Sequence, residues 1–145
     1  MPRQPSDRVV AYVDKYAPVW QERLGLGHWS IVHVYLDTYE GESGDDFKTT
    51  AVCESRWQYL QAKIKWYLPS AVRHDDDELE RVLVHELCHV LLAPEQCLVD
   101  SRLAHDSSHT AFTDPEVDAL AERNYEHLEL ATEMTARALL RAWAK

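Results

Sequence analysis

The stretch Asp77-Glu-Leu-Glu80-Arg-Val-Leu-Val-His85-Glu86-Leu-Cys88-His89-Val-Leu-Leu-Ala93 decides how the chain is read, because it sets His-Glu-x-x-His inside an apolar segment of helical character. Residues four apart on a helix sit about 40° from each other around the axis and about 6 Å along it, so two imidazoles at that spacing can close on one metal ion. His85 and His89 hold those positions. Glu86 follows the first of them and can reach the open side of such an ion, where a bound water needs a proton acceptor. Leu79, Val82, Leu83, Leu87, Val90 and Leu91 make the segment apolar over much of its circumference, which predicts a central helix. Asp77 with Glu80 predicts a capping box at its start, and Pro94 predicts its end just after Ala93.

Outward from this helix, the chain of 145 residues is long enough for one domain, 1–145, with a core of its own. A hydrophobic content of 46% with seven Tyr and five Trp excludes a disordered chain. The net charge of −10 argues against nucleic acid and against an anionic membrane as the main partner. The opening residues lack the apolar core of a leader and no run approaches the ~18 apolar residues of a membrane span, so the expected setting is cytoplasmic. Cys53, Cys88 and Cys97 form no Cys-x-x-Cys pair and are expected to be reduced thiols, with Cys88 a packing residue rather than a ligand.

Before the motif, Val9, Val10, Val13, Tyr16, Ala17, Trp20 and Leu24 recur at helical spacing. They predict a first helix capped by Ser6 or Asp7, ended by Gly25 and Gly27, and kinked or split near Ala17 by Pro18. Trp29 to Asp37 alternates as a strand, with Val32, Val34 and Leu36 on one face and His33 and Tyr35 on the other; His33 is expected to be a surface residue. Thr38 to Lys48 predicts a solvated acidic loop, Thr49 to Cys53 a short strand, and Leu60 to Leu68 a strictly alternating one ended by Pro69. The run Asp75-Asp76-Asp77 lacks the spacing of a calcium loop and is expected to cap the helix.

After Pro94, Glu95 to Thr113 predicts a polar loop, and its many small residues suggest a mobile lid. His105 and His109 within it are candidate ligands without a helical spacing. Thr113-Asp114-Pro115-Glu116 predicts a helix start. From there Val117, Leu120, Ala121, Leu128, Ala131, Thr135, Leu139 and Ala142 mark a stripe, on one helix or on two with a break near Asn124. A catalytic zinc needs a third protein ligand and an open fourth position. Glu126, His127, Glu129 and Glu133 are on offer there, and Glu129 and Glu133 share a face.

On these residues the chain resembles the zincin metallopeptidases, and among them the gluzincins, in which a later helix carries a glutamate ligand and, four residues on, an acid that supports the first histidine. The stretches Leu79-Glu-Arg-Val-Leu-Val-His-Glu-Leu-Cys-His89 and Glu133-Met-Thr-Ala-Arg-Ala-Leu139 are also similar to small metallopeptidase-like proteins of phages and prophages. The resemblance implies His85, His89 and Glu129 as ligands of one Zn2+, Glu86 as general base and Glu133 as the supporting acid, a place where the family more often has Asp. It implies an α+β, minimal zincin-like fold: a small, mostly antiparallel sheet packed on the N-terminal helix, the motif helix and a C-terminal helix. It also implies a strand that holds a peptide or protein substrate by backbone pairing, which falls on Tyr59–Trp66 with Tyr59, Gln61, Lys63 and Lys65 on its wet face, and peptide hydrolysis as the reaction. Tyr125, His105 or His109 are the candidates for the oxyanion donor. Leu92 stands where the metzincin pattern requires glycine, which excludes that branch. Two other readings stay open: a binding module whose structural zinc is closed by His109 or Cys97, and a metal-free acidic adaptor.

Overall fold

The computed structural model describes the backbone of residues 4–38, 49–109 and 114–144, and side chains throughout these except at 97–109, 114, 115 and 117. The order is α1 (Pro5–Arg23), β1 (Ser30–Leu36), β2 (Ala51–Arg56), a 3-10 turn (Trp57–Tyr59), β3 (Gln61–Tyr67), α2 (Leu68–Ala71), α3 (Asp76–His109) and α4 (Asp114–Trp143). The fold is α+β, with helices packed on a small three-stranded sheet. Contacts divide the chain into two compact units, Met1–Leu91 and Leu92–Lys145. None of the described helices is long and apolar enough to cross a membrane.

In the first unit the sheet runs β1-β3-β2, with β1 parallel and β2 antiparallel to β3. It is therefore mixed, and β3 is its central strand. Ile64 and Trp66 of β3 are fully buried, as are Val9 and Val13 of α1 and Leu79, Leu83, Val84, Leu87, Cys88 and Val90 of α3. The helices lie on one sheet face: Tyr35 Oη donates to Asp14 of α1 at 3.0 Å. Ile31, His33 and Tyr35 pair in register with Ala62, Ile64 and Trp66, so they share that face.

This reverses the expected faces of β1. Val32 is 53% exposed, whereas His33 is half-buried and accepts the Trp66 indole N–H on Nδ1 at 3.0 Å. Both faces of the strand are amphipathic, and the one whose polar atoms find partners goes inside. Burial lowers the pKa of His33, which keeps its ring neutral and its Nδ1 free to accept.

The helix boundaries differ from expectation at the prolines. α1 runs unbroken through Pro18, and α3 continues through Pro94 to His109, so 95–109 is helix rather than loop. A proline removes one backbone hydrogen bond, here to the carbonyl four residues earlier, and a helix held by its flanks survives that loss. The capping box also lies two residues before the expected one. Glu78 N–H donates to Asp75 Oδ1 at 2.8 Å and Asp75 N–H to Glu78 Oε2 at 3.0 Å. Glu80 is engaged elsewhere, accepting the Trp20 indole N–H at 2.9 Å.

The start of α3 is fastened to the sheet by side chains. Thr50 Oγ1 meets Ser70 Oγ at 2.9 Å and His74 Nε2 at 2.8 Å, and His74 Nδ1 faces Glu78 Oε2 at 3.2 Å. Arg8 adds Asp76 Oδ1 at 2.6 Å. Between the 3-10 turn and β3, Leu60 takes a left-handed conformation (φ 51°) that reverses the chain.

In the second unit α4 is a single helix without a break at Asn124. Its buried positions are Thr132 and Ala136, one residue along from the expected Ala131 and Thr135. Thr132 Oγ1 donates to Leu128 O at 2.7 Å, which satisfies its hydroxyl within the helix. The expected loop 38–48, apart from Thr38, and the Thr113 cap lie outside the described residues.

Candidate metal centre

About three turns beyond the cap at Asp75, α3 presents His85 and His89 on one side. Their Nε2 atoms lie 3.2 Å apart, and the rings meet nearly edge to face, with centroids 4.9 Å apart and planes at 77°. Two imidazole lone pairs this close repel each other unless a proton or a cation is shared between them. Zinc–nitrogen bonds of about 2.0–2.1 Å at the tetrahedral angle put two ligand nitrogens about 3.3–3.4 Å apart. The observed separation meets that requirement, so the pair fits two corners of a zinc site.

Both rings are half-buried, whereas Glu86, between them in sequence, is 6% exposed. Its charge acts on Cys53 of β2. Burial above all, then Glu86 and Glu54, push the Cys53 thiol up to about 12, so it stays protonated at neutral pH. This neighbour was not foreseen. Cys53 and Glu86 are 33 positions apart, and only the folded chain brings the charge of one to bear on the other. Cys88 is fully buried, as expected for a packing thiol, and neither Cys53 nor Cys88 is in a disulfide.

The strand assigned to substrate holds a different place from the expected one. β3 is bonded to β1 on one side and to β2 on the other along Gln61–Tyr67, so its backbone has no edge to offer a peptide. Tyr59 lies in the 3-10 turn, and Gln61, Lys63 and Lys65 project from the sheet face opposite the helices. Among the described residues the outer edges belong to β1 and β2.

On α4, Glu129 is half-buried and Glu133 accepts Arg137 Nε at 2.7 Å. Glu126, His127 and Tyr125 are exposed, Tyr125 at 60%. His105 and His109 are on α3 by backbone, but their side chains and that of Cys97 lie outside the described residues.

No family profile matches the chain, and neither a curated protein nor a solved structure matches it.

Proposed function

We propose that the protein is a zinc-dependent peptidase of the cytoplasm, with His85, His89 and Glu129 as metal ligands and Glu86 as general base. The observation that carries this reading is the 3.2 Å approach of the two Nε2 atoms on one helix face. Glu129 joins them on donor chemistry: two imidazole nitrogens and a carboxylate oxygen are a set that zinc accepts while keeping a position open. When bound, zinc polarises a carbonyl and brings the pKa of a coordinated water down to about 7.

The remaining work falls to the chain. Glu86, held on the same helix as the two histidines and shielded from bulk water, accepts a proton and delivers it to the departing amine. Glu133, one turn beyond Glu129, orients a ligand side chain. Peptide backbone pairs with the outer edge of β2, an edge strand whose Cys53 feels the charge of Glu86.

Zinc content per chain, measured after gel filtration for the wild type, Glu129→Ala and Glu86→Gln, tests the assignment. About one zinc in the wild type and in Glu86→Gln, with a sharp loss in Glu129→Ala, is the expected result. Peptide cleavage by the wild type alone completes it. A wild type that takes up no zinc overturns the reading. A wild type that unfolds on chelation and cleaves nothing replaces it with a structural zinc module.

A further inference from the structure

The sheet face opposite the helices carries a groove at one end, lined by Ser30 and Val32 of β1, Gln61 and Lys63 of β3, and Glu54 and Arg56 of β2. The registers Ser30↔Gln61, Val32↔Lys63, Glu54↔Lys63 and Arg56↔Gln61 put all six side chains on the same face. The exposed Val32 gives the groove an apolar floor, and Ser30 and Gln61 give it neutral hydrogen-bonding groups.

Its charge is opposite to that of the whole molecule. The chain carries −10, yet the groove holds Arg56 and Lys63 against the single acid Glu54. Glu54 is already bound by Lys65 at 2.6 Å, and that contact, ahead of the charge of Lys63, holds its carboxyl below the usual range. Arg56 and Lys63 stand diagonally across the β2–β3 ladder, a spacing of about 7–8 Å that lets one carboxylate between them touch both.

We infer that this groove binds an acidic side chain of an extended peptide, and that Arg56 and Lys63 make the protein select acidic peptide segments. A peptide laid along the outer edge of β2 continues the sheet, and alternate side chains then fall on the same face as Glu54 and Arg56. A nucleic acid is the less suitable polyanion. Two cations are few for a phosphate backbone, and the remaining surface of a −10 protein repels one. As a statement about substrates the inference rests on the peptidase reading; as a statement about binding it rests on the groove alone.

The test uses the full-length Glu86→Gln protein and two fluorescein-labelled extended octapeptides, one alternating Thr and Glu and the other its Thr and Gln isostere, followed by fluorescence anisotropy. The expected result is an affinity for the acidic peptide about tenfold higher at low salt, fading as salt rises. Arg56→Gln with Lys63→Gln abolishes that preference, and Glu54→Gln increases it. All three positions are exposed, so an unchanged melting temperature certifies the variants. Equal affinity for the two peptides, or a preference that survives the double substitution, overturns the groove. So does displacement of the acidic peptide by a single-stranded oligonucleotide that binds more tightly than it does. Zinc content separates the two ideas: a metal-free protein that still prefers the acidic peptide keeps the groove and loses the peptidase, and a zinc-loaded enzyme cleaving both peptides equally does the reverse.

Discussion

Trp20 of α1 donates its indole N–H to Glu80 of α3 at 2.9 Å, and the guanidinium of Arg23 lies over the same indole, 4.8 Å from the ring centroid. Trp20 is 1% exposed, so this hydrogen bond fixes the first turns of the motif helix against the buried stripe of α1. Removing the acceptor leaves a buried donor unpaired. Glu80→Ala is expected to cost about 1–3 kcal/mol in urea unfolding, whereas Glu80→Gln, which keeps an acceptor oxygen, costs less than half of that.

The reciprocal bonds between Asp75 and Glu78 identify the residue that starts α3. Asp75→Ala is expected to destabilise by about 1 kcal/mol, and Asp77→Ala, exposed and within the first turn, by less than about 0.5 kcal/mol. Chemical denaturation of the two variants side by side separates them; the reverse order would return the cap to the position read from sequence.

Substitutions at the candidate metal centre are expected to split binding from turnover. His89→Ala removes one of the two converging nitrogens and abolishes retention of zinc through gel filtration. Glu86→Gln retains the metal and lowers peptide cleavage about 10²–10⁴-fold, the usual range for a lost general base. Zinc analysis and a peptidase assay on the same preparations read both.

Cys53 reports on Glu86. Its thiol is pushed up to about 12 from 9.0, so the folded state disfavours the thiolate. The stability this represents is complete below pH 9 and is lost progressively as pH rises toward 12. Cys53→Ala is expected to flatten that part of the alkaline decline. In a Cys97→Ser background, Glu86→Gln removes a neighbouring negative charge, lowers the thiol pKa and speeds alkylation of Cys53 at pH 8. An unchanged alkylation rate would separate the two residues.

The features that sequence made legible are those with a local period. The helical setting of His85 and His89 follows from apolar residues three and four apart, and the alternation of β3 follows from Ala62, Ile64 and Trp66 facing inward while Gln61 and Lys63 face out. What sequence concealed depends on neighbours distant in the chain. On β1, His33 and Tyr35 turn to the helix side, where Trp66 and Asp14 supply their hydrogen bonds, and no pattern within β1 contains that information. The position of β3 between two partners, which removes it as a substrate edge, depends on sheet order and not on its own residues. Pro94 and Pro18 are local signals that packing overrode.

The strand order also sets a sequence of assembly. β2 and β3 are joined by only Trp57–Leu60, so their antiparallel ladder closes a short loop, whereas β1 must span β2 to reach the far side of β3. Loop-closure entropy favours the short ladder, making the β2–β3 hairpin the nucleus on which the parallel strand condenses last. In native-state hydrogen exchange, the β1–β3 amides would then open at a lower free energy than those of β2–β3, and the reverse order of opening would refute that pathway. The β2–β3 hairpin, which carries Cys53, would thus be the last part of the sheet to come apart.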